Sequence, residues 1–221
     1  MLRARPSTET PSASRAFTLV ELLAVIGVMA ILALLIVPQV NAFQARSKSL
    51  KCMSNMRQIG AAFQQYASEH NGRLPVIYNS ASTPAGETNA PWMWKLSPYV
   101  GMAPDSMGFS PLPRAAGVFV CPEWTMSPPR NTTRAVSYAV NNCMDPHSSF
   151  ASWNYRAMSP PPSSTILMVE VQANTETFNP NTDGDVTRRH PQDSANFLFL
   201  DGHVENIADK IPVSDPRWFR K

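Results

Sequence analysis

The chain has 221 residues, room for one ordinary domain and a membrane segment but not for two large domains. Its formal net charge of +3 comes largely from the first sixteen residues, which carry Arg3, Arg5 and Arg15 against Glu9; beyond them 16 Lys and Arg face 15 Asp and Glu. So neutral a remainder lacks the basic field that phosphate neutralisation requires, and nucleic acid is excluded as a main partner.

Residues 1–16, MLRARPSTETPSASRA, are basic and rich in Ser, Thr and Pro, with no apolar stretch of their own. They read as a cytoplasmic leader. From Phe17 to Val37 only Thr18 and Glu21 are polar, and a helix of that length is about 31 Å long, the thickness of a bilayer's hydrocarbon. Residues 17–40 are therefore expected to form one membrane-spanning helix. Arginines precede the span and Arg46, Lys48 and Lys51 follow it, so local charge alone does not orient it.

Pro38 closes the apolar run, at a position where a helix kinks or ends. Beyond it Cys52, Met56, Ile59, Phe63 and Tyr66 recur at helical spacing, which draws one apolar stripe. Residues 41–74 thus read as an amphipathic continuation of the same helix to about His70. Asn71 and Gly72 supply a left-handed stop, and Pro75 lies just beyond.

From residue 75 to 221 the text is that of a β-rich head. The chain holds 21 prolines, roughly twice average usage, and stretches such as YNSASTPAGETNAP and APDSMGFSPLPRAAG are loop by composition. GVFVCPEW, AVSYAVNN, TILMVEVQ and ANFLFLDGHVENI read as strands. Asp201-Gly202 breaks the last as a two-residue hairpin turn with positive φ at both positions. Four or five such strands in a small antiparallel sheet, laid against the stripe, give an α+β fold. Trp92 and Trp94 are expected to pack a loop onto that sheet.

Three cysteines, Cys52, Cys121 and Cys143, are too few for a disulfide scaffold, and none forms a CxxC pair. In an exported domain any one pair of them is available to bridge. Cys121 has no marked histidine partner and reads as buried or bridged rather than nucleophilic. His190, Asp201 and His203, with Asp183 and Asp185 of NTDGD, are the candidate ligand or catalytic side chains. Calcium is the ion such an acidic loop would take, yet NTDGD lacks the remaining spacing of an EF-hand. The expectation is a structural hairpin, with no cofactor and no catalytic residue.

The stretch A-FTLVELLAVIGVMAILALLIVPQV resembles the N-terminus of type IV prepilins and type II secretion pseudopilins. That resemblance implies a pilin-like fold and cleavage by a prepilin peptidase between Ala16 and Phe17, followed by N-methylation at Phe17. It also implies assembly with other pilin-like subunits, identical or different, through the N-terminal helix. Glu21 becomes the fifth mature residue, matching a glutamate thought to meet a neighbour's terminal amine, and Pro38 matches a helix-bending proline. The family usually has glycine where this chain has Ala16. A carboxylate at the centre of a span costs about 2.5 to 3.5 kcal/mol on insertion scales, less near a helix start whose dipole favours negative charge.

RRHPQDSANFLFLDGHVENI is similar to the end of a bacterial pilin-like group marked by a His, nine residues and Asp-Gly; here ten residues separate His190 from Asp201. CMSNMRQIGAAFQQYASEHNGRLP, FVCPEW and SYAVNN also look like that group. The implied protein is a non-enzymatic subunit, single-pass in the bacterial inner membrane with its head in the periplasm, which enters a pilus or a secretion pseudopilus. The alternative is a membrane-anchored exported module that binds a glycan or protein and uses the pilin-like segment only as an anchor.

Overall fold

The computed structural model describes residues 18–75, 77, 92–102, 117–124, 137–144, 160–172, 177–179, 186–212 and 214–218. The leader, Ala16, Phe17, Asp183, Asp185 and nearly all of the two loop stretches quoted above lie outside them. The chain divides into two compact units, 1–43 and 44–221, so the amphipathic continuation falls in the same unit as the β-rich residues.

One helix, α1, runs from Leu19 to Glu69 and continues through position 38 without a break. In the second unit its stripe is the core: Cys52, Met56, Ile59, Ala62, Phe63 and Ala67 are buried, and Tyr66 packs at the margin. The helix ends where the sequence supplies its stop. Asn71 and Gly72 take φ of 54° and 79°, and the Gly72 amide reaches back to the Ala67 carbonyl at 2.7 Å, satisfying a terminal carbonyl that no further turn would cover.

The sheet has five strands, β1 (Tyr138–Asn141), β2 (Ile166–Glu170), β3 (Thr177–Phe178), β4 (Ala195–Phe199) and β5 (Val204–Ile207), in the order β3-β1-β2-β4-β5. Three pairings are antiparallel, but β1 and β3 run parallel, which corrects the purely antiparallel expectation. The reason is topological: β3 runs opposite to its predecessor β2, and β1, itself opposite to β2, lies between them.

Both sheet faces are covered, so β1, β2 and β4 are buried along their whole lengths and read as continuous apolar runs. Tyr138, Val140, Leu167, Met168 and Leu198 join the α1 stripe in one core. Ala139, Ile166, Val169, Phe197 and Phe199 form a second, closed by Ile211 and Trp218. Leu167 and Met168 share a face although adjacent, because the β2–β4 register shifts between Ile166 and Met168 and a bulge resets the alternation.

Two further expectations change. GVFVCPEW is a 3-10 turn at Gly117–Phe119 followed by a tight turn, not a strand; a short apolar run cannot be told from a buried turn by periodicity alone. The Trp92/Trp94 pair sits on a short helix, α2 (Trp92–Leu96), where Trp92 is buried with its ring 5.7 Å from those of Phe63 and Phe119.

Cys52 and Cys121 form a disulfide across 69 positions, joining α1 to the 117–124 segment. A loop of that size is worth about 4 kcal/mol in the chain-entropy account. Gly60 brings α1 close against the β4–β5 hairpin: a Cβ there would lie 2.8 Å from Leu198 Cδ1 and 3.3 Å from Gly202 Cα. Gly60→Ala is expected to destabilise the protein by about 1 to 3 kcal/mol through overpacking, read as a lowered denaturant midpoint. An unchanged midpoint contradicts this packing.

Candidate functional site

The first unit presents an unusual surface. Leu19, Val20, Leu22, Leu23, Ile26 and Met29 are more than half exposed, as are Ile31, Leu34 and Ile36. Helix α1 is long and apolar enough here to cross a membrane, by length and composition. Its start is sealed locally. The Glu21 amide donates to Thr18 Oγ1 at 3.2 Å, while Thr18 N and Oγ1 both donate to Glu21 Oε2 at 2.9 Å. This reciprocal pattern is a capping box, Thr at the N-cap and Glu at the third helical position, and it satisfies donors that the first turn leaves without partners. The signal Thr-x-x-Glu ahead of an apolar run stands in the sequence, and it gives Glu21 a local role besides the pairing with a neighbour's amine that the resemblance implies.

In the second unit the polar chemistry is buried. Glu170, at the end of β2, faces the α1 side of the sheet, paired in register with Tyr138, and its side chain is fully inaccessible. Its Oε1 meets His190 Nε2 at 2.7 Å and Asn196 Nδ2 at 3.2 Å, and its Oε2 accepts from the Asn196 amide at 3.0 Å. His190 Nδ1 faces Glu123, which the Cys-Pro-Glu-Trp turn carries beside the disulfide, a turn closed by Trp124 N donating to Cys121 O at 2.9 Å. Arg189 donates to the Val171 carbonyl, and its charge interacts with Glu170 and Glu123. Two carboxylates thus face an imidazole and a guanidinium, the paired condition under which buried charge is tolerated.

Burial works against the imidazolium, but hydrogen bonds and charge from Glu170 and then Glu123 outweigh it and hold His190 above the usual histidine range. Burial pulls the Arg189 guanidinium down, opposed by Glu170, Tyr138 and Glu123. Burial, with Glu170 beside it, pushes the Tyr138 phenol up. The result ties together β2, the 117–124 turn and the segment leading into β4.

The structure divides the residues singled out from sequence. His190 lies in this cluster with Glu123 and Glu170, whereas Asp201 bonds to His203, accepting from its amide at 3.1 Å and meeting its ring Nδ1. The His203 ring stacks on Phe199 at 4.2 Å. Asp201 and Gly202 do lie in the β4–β5 turn, but the connection is the three-residue loop Leu200–Gly202. Gly202 N donates to Phe199 O, and Phe199 N donates to His203 O, each at 2.9 Å. Only Gly202 has positive φ, 93°, while Asp201 does not, as a type I turn followed by a glycine bulge requires. Cys143 remains a thiol, its Sγ 3.5 Å from Asn142 Oδ1. Glu123, Glu170, Arg189 and Asn196 were not singled out from sequence. Glu170 carries the one readable signal, a carboxylate closing the apolar run Ile-Leu-Met-Val.

Two family models match the chain: "Prokaryotic N-terminal methylation motif" over residues 11–37, and "Protein of unknown function (DUF1559)" over residues 44–104. No curated protein and no solved structure matches it. The methylation motif marks a type IV pilin-like substrate of prepilin peptidase.

A group whose folded pKa is raised contributes stability below its unfolded pKa and loses that contribution as pH rises through the folded value. The His190 contribution is therefore complete below about pH 6 and falls away as the solution becomes alkaline. His190→Ala strands Glu170 in the core and is expected to cost about 3 to 5 kcal/mol at mildly acidic pH. Denaturation of the wild type across pH checks the charge: its stability should fall as pH rises from about 6 through the folded value of His190, and stability that rises over that range contradicts the assignment.

Proposed function

We propose that this chain, which carries a prepilin-type methylation motif and a DUF1559 segment and is consistent with a type IV prepilin- or pseudopilin-like protein, is a structural subunit and not an enzyme. Prepilin peptidase cuts between Ala16 and Phe17 and methylates Phe17. The processed subunit, held in the inner membrane with its head in the periplasm, packs by α1 beside other pilin-like subunits in a pilus or pseudopilus. The observation that carries this reading is the continuous exposed apolar surface of α1, headed by the Thr18–Glu21 box one residue after the inferred cut. Lipid covers such a surface before assembly, and neighbouring helices cover it afterwards.

Cleavage creates an amine at Phe17 that exists in no uncut chain. In the assembled state Glu21 meets the amine of an adjacent subunit, which offsets its cost in hydrocarbon and fixes the stacking register. Glu21→Gln separates the two roles of this side chain, because glutamine also closes a capping box but carries no charge. Expressed with prepilin peptidase and partner subunits, Glu21→Gln is expected to be cut and inserted normally but to enter labelled filaments at least about tenfold less, the loss of about 1.4 kcal/mol per contact. Equal incorporation contradicts the amine pairing and leaves Glu21 a helix cap. Wild-type label dispersed over the envelope, with no filament, overturns the subunit reading in favour of an anchored binding module.

A further inference from the structure

Four side chains from four separate segments meet inside the 44–221 unit: Cys52 on α1, Cys121 in the Cys-Pro-Glu-Trp turn, Glu170 at the end of β2 and His190 ahead of β4. All are buried, and one donor atom from each lies within 4.8 Å of the other three. As a disulfide the sulphurs are poor ligands. As thiolates they add two soft donors to an imidazole and a carboxylate, a closed four-donor set suited to Zn2+. Bonds of about 2.0 to 2.3 Å in a tetrahedron put donors about 3.3 to 3.8 Å apart. The longest separation therefore closes by about 1 to 1.5 Å, while the two sulphurs part once the Cys52–Cys121 bond is reduced.

We infer that the dithiol form of this chain holds Zn2+ through Cys52, Cys121, Glu170 and His190, and that this site and the Cys52–Cys121 disulfide exclude each other. The surroundings fit an ion. Glu123 sits on His190 Nδ1, leaving Nε2, the nitrogen that faces Glu170, to bind metal, and a carboxylate on the far nitrogen is the usual support for a ligating histidine. Two thiolates and one carboxylate around Zn2+ leave one excess negative charge. Arg189, whose Nε and Nη1 are buried without hydrogen-bond partners among the described residues, supplies the opposing charge beside Glu170.

The chemistry balances. Two thiols and the imidazolium release protons as the ion binds. A disulfide-bearing carrier then expels the ion: its S–S bond accepts two electrons from the two thiolates and two protons from water, where metal binding had released them, and leaves as two thiols. The Cys52–Cys121 bond forms, Zn2+ departs and Nε2 takes back a proton. A newly exported chain would pass through the metal form before its cysteines are oxidised.

The test uses the full-length chain in detergent, reduced with a phosphine and titrated with Co2+ as a spectroscopic stand-in and with Zn2+ itself. The expected result is a one-to-one tetrahedral complex with thiolate-to-Co2+ charge-transfer absorption, displaced by Zn2+ and absent from the oxidised chain. Bound Zn2+ should also protect Cys52 and Cys121, but not Cys143, from alkylation. Cys143→Ser should leave the spectrum unchanged, and Glu123→Gln should weaken binding about 10- to 100-fold. Overturning results are a reduced chain without thiolate absorption, oxidised protein that binds as tightly, or a spectrum unaltered in His190→Ala. A reduced chain that unfolds and is not restored by Zn2+ also overturns it.

Discussion

Large apolar side chains have to leave water, and α1 meets that demand differently along its length. From Cys52 to Ala67 the stripe is buried within its own chain, under the sheet and the residues around Trp92. From Leu19 to Ile36 the large apolar side chains are exposed. At about 25 cal/mol per Å², so long a surface is not left to water. A continuous helix with one half supplied by its own fold and the other dependent on lipid or a neighbour is the frame on which the rest is hung.

The self-supplied half explains the head. Its sheet is short-stranded and covered on both sides, by α1 on one face and by Ile211 and Trp218 on the other, so each strand can be apolar throughout. The disulfide fastens α1 to the 117–124 turn at Cys52, and the His190 cluster fastens that turn to β2 and to the approach of β4. The two fastenings adjoin: Cys121 and Glu123 are two residues apart in one turn.

Much of this was legible in the sequence because it is local. The spacing from Cys52 to Phe63, the Asn-Gly stop and the apolar strand texts are periodic or positional signals, and α1 with β1, β2, β4 and β5 follows from them. The parallel β3, only two residues long, is set by which sheet edge is vacant, a tertiary fact. The turn at Gly117 looked like a strand because Val118 to Cys121 is a short apolar run, although only Phe119 and Cys121 of it are buried. Glu123 and Glu170 carry no local signal of their role: they acquire meaning only when residues far apart in sequence meet at one imidazole. The capping box at Thr18 was present as text and was overshadowed by the membrane question that Glu21 raises.

If the proposed processing occurs, the exposed half of α1 begins, in the mature protein, at a new terminus next to its cap. Intact-mass spectrometry of the chain extracted from membranes of cells with active prepilin peptidase reads that terminus. The expected mass lacks residues 1–16 and is increased by one methyl group, with the modification at Phe17. A chain that still begins at Met1, or one cut elsewhere, would contradict it.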